Sequence, residues 1–236
     1  MKIIEKKENQ IMFLAEIEES LINAIRRHLN HVPMLAVDEI EISKNDSPLY
    51  DETIAHRIGL IPLKISKESI KKNPKIKLSK IKEGMVYSGE IKGAEVAYQK
   101  IPITFLEKEQ DLEIEGTTTI GKGVDHSKFS PGLLFYRNVA EITMDKNLYE
   151  KVKKVFPKLE TKIKGDKVTI LDSNKKEIVD ICEAIAEQNK KEVEINFGNE
   201  MIITLESFGQ KKPEEVFKMS IDELKKDLNK VSKKIK

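Results

Sequence analysis

A single cysteine, Cys182, stands among the 236 residues. No disulfide framework can form within the chain, and an iron–sulfur cluster, which needs several thiolates, lacks its ligands. Arginine is also scarce, limited to Arg26, Arg27, Arg57 and Arg137 among 42 basic residues. No apolar run approaches the roughly 18 residues of a membrane span, so no membrane partner is expected. Net charge is only +2, which argues against bulk electrostatic capture of nucleic acid or an anionic surface. The opening run Lys2 to Lys7 is charged at once, unlike a secretory leader. These absences together predict a soluble, cytoplasmic chain in a reducing compartment.

What is present is unevenly distributed. Hydrophobic residues make up 39% and charged residues 35%, enough for one large core or two smaller ones. Three of the four arginines fall between Glu19 and Lys64, where a rigid planar fork suits interface ion pairs better than lysine does. Ile11, Phe13, Ala15 and Ile17 alternate and predict the second arm of a hairpin over residues 2–17. A helix follows, with Ser20 expected as its cap and Leu21, Ala24, Ile25, His28, Leu29 and Val32 on one stripe. Arg26 and Arg27 point away from that stripe, and Pro33 ends it. In the next strand Leu35 and Val37 lie in one phase and Ile40 and Ile42 in the other. That slip predicts a bulge near Asp38-Glu39, or a strand serving two packing surfaces. A short helix from Tyr50 to Ile58 is expected to close on a left-handed Gly59, with Leu60 folding back.

Residues 64–84 are lysine-rich and read as surface loop with a short strand at most. Beyond them the pattern is strand-like and turn-rich to about residue 144, with Gly116 to Gly132 expected as a long loop. From a strand at Val139 to Met144 through a helix at Lys175 to Asn189, a β-α-β-β-α order suggests a small ferredoxin-like unit. The tail returns to strands and then to a helix opened by Pro213. Its apolar residues Phe217, Ile221, Leu224, Leu228, Val231 and Ile235 are spaced 4, 3, 4, 3 and 4 apart, a short heptad seam fit to meet another helix.

Local motifs for chemistry are weak. Gly116 to Gly123 imitates a phosphate-binding loop, but Gly123 replaces the metal-holding hydroxyl and no apolar helix follows. His28 and His31 stand three apart without an acidic or thiolate ligand near them in sequence. Glu52 and His56 read as an i,i+4 contact on a short helix. No catalytic residue, cofactor or metal site is expected. Two rival readings stay open here: a nucleotide-dependent enzyme on Gly116–Gly123, and an electron-transfer protein on residues 145–191.

The strings N-A-I-R-R-H-L, V-P-M-L-A-V-D-E-I-E-I and L-Y-D-E-T-I-A-H-R-I-G-L-I-P-L together resemble the D-type family of archaeal RNA polymerase subunits. That family is the counterpart of the bacterial alpha subunit's N-terminal domain and of the third-largest eukaryotic subunit. G-K-G-V-D-H-S-K-F-S-P and L-E-S-F-G-Q-K-K-P-E-E are similar to two later family segments, so the resemblance spans the chain. It implies an α+β fold with a discontinuous alpha-subunit-like dimerisation domain (1–45 and 192–236), a β-rich insert domain (46–144) and a ferredoxin-like insert (145–191). In this insert the cysteines that bind a cluster in some members are absent. It also implies a non-catalytic scaffold of DNA-directed RNA polymerase that pairs with small subunit L through Leu21, Ile25, Leu29, Phe217, Ile221, Leu224, Leu228 and Val231. Arg26 and Arg27 look like the family's contacts to the second-largest catalytic subunit. Asp51, Glu52, His56 and Arg57 lie in a stretch similar to the surface used for that subunit and for small zinc-binding subunit N. DNA would be met only through the assembled polymerase.

Overall fold

The computed structural model describes residues 1–65, 73–157, 159, 161–172 and 177–235. Residues 66–72 of the lysine-rich stretch and Lys175-Lys176 of the expected second insert helix lie outside the described residues. The chain divides into two compact units. One comprises Met1–Lys6, Ile11–Ile22 and Phe135–Thr204; the other comprises Lys7–Gln10, Asn23–Leu134 and Leu205–Lys236.

The first unit is built on a six-stranded sheet. β1 (Lys2–Lys6) and β2 (Gln10–Glu16) form the expected antiparallel hairpin, with Ile3 opposite Phe13. Four strands from farther along the chain complete it: β8 (Gly132–Asp145), β9 (Thr161–Lys164), β10 (Lys167–Asp172) and β11 (Glu194–Ser207). The order is β1-β2-β11-β8-β10-β9. The tail, expected as separate strands at residues 193–197 and 201–205, is instead one long strand, β11, from Glu194 to Ser207. Helices α3 (Lys146–Val155) and α4 (Glu177–Gln188) supply the other layer. Alternation on β8 turns Ala140, Ile142 and Met144 inward, and Val168 and Ile170 of β10 meet them in register. Leu148, Tyr149 and Val152 of α3 and Ile178, Cys182 and Ala186 of α4 complete this core.

The second unit holds a three-stranded antiparallel sheet in the order β3-β7-β4, with β3 at Pro33–Asn45, β4 at Ile76–Lys80 and β7 at Leu112–Lys122. A hairpin of β5 (Gly84–Tyr87) and β6 (Pro102–Leu106) and helix α2 (Asp51–Gly59) accompany it. Its main core joins Leu35 and Val37 to Ile54, Ile58, Leu78, Leu106 and Ile114. Met34 and Ala36, on the opposite face of β3, pack with Val32 and Phe129 in a second cluster.

Both readings of the out-of-phase strand therefore hold. β3 is buried on two faces at Met34–Val37, and its register against β7 shifts between Val37 and Ile40. The one extra residue rotates Ile40 and Ile42 back onto the core that Leu35 and Val37 occupy. Without the bulge, alternation would turn those two isoleucines to the opposite face.

Other local expectations change. Gly116 to Lys122 is strand β7 instead of loop, and the connection to β8 is short, with one 3₁₀ turn at Ser127–Phe129. Gly121 fits there because a Cβ would stand 2.5 Å from the Phe129 ring, and Gly123 because one would stand 2.7 Å from Asn30 Oδ1. The glycines of the apparent phosphate loop thus serve close packing, and no helix follows to aim a dipole at a phosphate. The first helix α1 begins at Glu19, with the Glu18 carbonyl accepting from the Leu21 and Ile22 N–H groups at 3.0 and 3.1 Å. Ser20 is then inside the first turn, not the cap. Gly59 is the last residue of α2 without a left-handed φ, and Leu60 stays right-handed and exposed. Its N–H reaches both His56 and Arg57 carbonyls, tightening the turn before Pro62 ends it.

Candidate functional site

α1 (Glu19–His28) is strongly two-sided. Ile22, Ile25 and the following Leu29 are buried, at 0%, 4% and 3% exposure, whereas Arg26, Arg27 and Leu21 are exposed. Arg26 is held by Asn23, whose Oδ1 accepts from Nε at 3.2 Å and from Nη2 at 2.9 Å. The helix passes into a 3₁₀ turn at Leu29–His31. Asn30 in that turn anchors the β7–β8 connection: its carbonyl accepts from the Val124 N–H at 3.1 Å, and its Oδ1 accepts from the Ser130 hydroxyl at 3.1 Å. Lys128 adds an ion pair to Asp38 at 3.1 Å.

The C-terminal helix α5 spans Pro213–Ile235, with Pro213 in its first turn as expected. Val216, Ser220 and Leu224 form its buried row, and α5 packs on the Leu29–His31 turn. Met219 reaches the Val32, Met34, Ala36 and Phe129 cluster. His28 joins the two elements: its Nδ1 lies 2.8 Å from the Ala24 carbonyl and its Nε2 3.4 Å from Asp227 Oδ2. The hydrogen bond from Lys230, reinforced by His28, holds the Asp227 carboxyl below its ordinary 3.8. His31 stacks on His28 with ring centres 5.1 Å apart. The histidine pair is thus spent on packing and on a carboxylate, and among the described residues no His, Cys, Asp or Glu cluster could hold a metal ion.

Past Leu224 the helix changes. From Leu228 to Ile235 every residue is exposed, including Leu228 at 60%, Val231 at 55% and Ile235 at 81%. Large aliphatic side chains repeated along a helix with no cover from their own chain mark an interaction surface. Phe217 and Ile221 are half-buried, and Leu224 is covered by the chain itself. The pattern missed Val216 and Ser220 because it followed the heptad; the chain's own core uses positions one residue earlier than Phe217 and Ile221.

The second arginine-bearing surface is α2. Asp51, Glu52, His56 and Arg57 are all exposed. Asn45 Nδ2 donates to Asp51 at 2.7 Å and to the Leu49 carbonyl at 2.8 Å, fixing the entry to the helix. Arg57 Nη1 donates to the Ile103 carbonyl at 2.7 Å, tying α2 to β6. The Glu52–His56 contact expected from i,i+4 spacing is not formed among the described residues.

Arg137, which lay outside every sequence expectation, pairs with a buried carboxylate. It grips Asp172 with both Nη atoms, Nη2 to Oδ1 at 3.0 Å, and Asp172 is fully buried. Nothing local could reveal a partner 35 residues away on another strand.

The RNA polymerase Rpb3/Rpb11 dimerisation domain family matches residues 12–228. The chain belongs to this family. Relatives named DNA-directed RNA polymerase subunit Rpo3 are similar along most of its length. The protein of Pyrococcus furiosus is 30% identical over 94% of this chain and 91% of its own. That of Pyrococcus horikoshii is 34% identical over 72% of this chain and 73% of its own. That of Thermococcus kodakarensis is 35% identical, the match covering 62% of each chain. The fold of the matched region is mixed α/β with antiparallel pairing. Among the described residues no helix is long and apolar enough to cross a membrane.

Proposed function

We propose that the chain is a non-catalytic assembly subunit of a DNA-directed RNA polymerase. The observation that carries this reading is the exposed seam Leu228, Val231 and Ile235 on α5 of a chain from a dimerisation-domain family. Burying each such side chain contributes roughly 1.5–3 kcal/mol, so a partner helix here is worth several kcal/mol. The occupant is a small subunit of the Rpb11 type, called L in archaea, meeting the open end of α5 and the exposed Leu21 of α1.

Arg26 and Arg27 then present forked donors to the second-largest catalytic subunit, and Asp51, Glu52, His56 and Arg57 serve that subunit and small subunit N. The polymerisation chemistry and its metal belong to other chains, and the chain works in the cytoplasm. The division into a discontinuous dimerisation domain (1–45, 192–236), an insert (46–144) and a smaller insert (145–191) is part of this proposal. So is the absence of an iron–sulfur cluster: the lone thiol is fully buried on α4 and pushed up to about 11 by burial, the opposite of a poised thiolate ligand.

Co-expression with the small subunit tests the reading. Wild-type chain is expected to copurify with it one-to-one, and Leu228→Asp to weaken the pair by about 30-fold or more. Arg27→Ala is expected to keep the pair and lose recruitment of the second-largest subunit. A pair indifferent to Leu228→Asp sinks the seam, and unchanged recruitment sinks the arginine role.

A further inference from the structure

The exposed end of α5 also carries a charge pattern, and it bears on which helix can lie there. From Lys225 to Ile235 five lysines stand against one acid, Asp227. Asp227 is already engaged: Lys230 donates to it at 2.8 Å and His28 Nε2 lies 3.4 Å away. In heptad terms the positions beside an apolar seam set partner choice through interhelical charge. Lys218 and Lys225 follow the seam residues Phe217 and Leu224, and Lys234 precedes Ile235. All three are exposed, and among the described residues none has an ion-pair partner. Lys226, by contrast, faces away from the seam and is paired with Glu223 at 2.6 Å. Lys218, Lys225 and Lys234 thus border the seam with their charges unmet, while Lys233, also without an ion-pair partner among the described residues, lies on the outer face.

We propose that this lysine border selects a partner helix with acidic flanks, and so favours the Rpb11-type small subunit over a second copy of this chain. The inference rests on the dimerisation reading above and adds its specificity. A second copy would bring its own Lys218, Lys225 and Lys234 to the border of the seam, with Asp227 there already bound within its own chain. Like charges held together along a desolvating seam weaken the wrong pair while complementary carboxylates strengthen the right one. The apolar residues then supply affinity and the lysines decide between partners.

The test measures affinity of the full chain for the co-expressed Rpb11-type subunit at two salt concentrations. Screening length falls from about 10 Å at 0.1 M to about 3 Å at 1 M, so wild-type affinity should drop by about tenfold or more across that range. The double variant K225E/K234E should weaken the pair by about tenfold at low salt and flatten its salt dependence. Lys233→Glu, on the outer face of the helix, should change neither, and circular dichroism should show both variants as helical as wild type. Light scattering of the chain alone should show a monomer. If the pair forms and Leu228→Asp breaks it, yet K225E/K234E and salt leave affinity unchanged, the charge proposal is overturned and the dimerisation reading stands. A stable homodimer of the wild-type chain through the same seam overturns it as well. No complex with the small subunit, and no effect of Leu228→Asp, overturns the dimerisation reading and this proposal with it.

Discussion

Arg137 and Cys182 show how differently two rare residues can be used. Arg137 neutralises a carboxylate with no solvent exposure, and a buried charge stripped of its partner is costly. Arg137→Ala is therefore expected to destabilise the folded chain by about 3–5 kcal/mol, measured by denaturant unfolding. A loss below about 1 kcal/mol would mean that Asp172 finds water or another partner. Cys182 sits at the other extreme, a thiol fully buried among Ile178, Ala186 and the sheet. With its pKa pushed up to about 11 by burial, only about one thiol in a thousand ionises at pH 8 in the folded state. A thiol reagent should label it only across the unfolding transition, and fast labelling of native protein would contradict its burial. Both residues were countable in the sequence, but only coordinates reveal that one is paired and the other enclosed.

Among elements, legibility followed the length and periodicity of the pattern. The hairpin β1–β2, the two-sided α1 and the phase slip in β3 were all readable, because each rests on a repeat of two or three to four residues set by backbone geometry. The β7 strand was not. Its Gly116 and Gly121 read as loop residues, whereas they are strand positions where backbone, isoleucine or an aromatic ring from elsewhere approaches too closely for a Cβ. Such an approach is a tertiary fact. Gly121→Val should push Phe129 out of the Val32, Met34, Ala36 cluster and destabilise by about 1–3 kcal/mol. Hydrogen exchange should localise the change to β3 and the β7–β8 connection, and uniform protection equal to wild type would count against the packing account. The end of α2 was misjudged for a related reason: Leu60 continues the turn through a bifurcated hydrogen bond, so Gly59 needs no left-handed conformation.

At the scale of the whole molecule, the six-stranded sheet joins strands from both ends of the chain and from its third quarter. Pairings of that sequence separation leave no local trace, so the assignment of residues to compact units came from coordinates and not from pattern. The residues proposed for the interface have a different origin. Resemblance pointed to them, and the structure sorts them into Leu21, Leu228 and Val231, which expose apolar area, and Ile25 and Leu29, which the chain itself covers. In the proposed role the chain contributes surfaces to an enzyme whose reacting groups belong to other chains. The most direct test is reconstitution of the polymerase from separate subunits with wild-type chain or with Arg26→Ala/Arg27→Ala. A scaffold role predicts a several-fold lower yield of assembled enzyme, with the fraction that does assemble elongating RNA at the wild-type rate. Normal assembly with slowed elongation would contradict it.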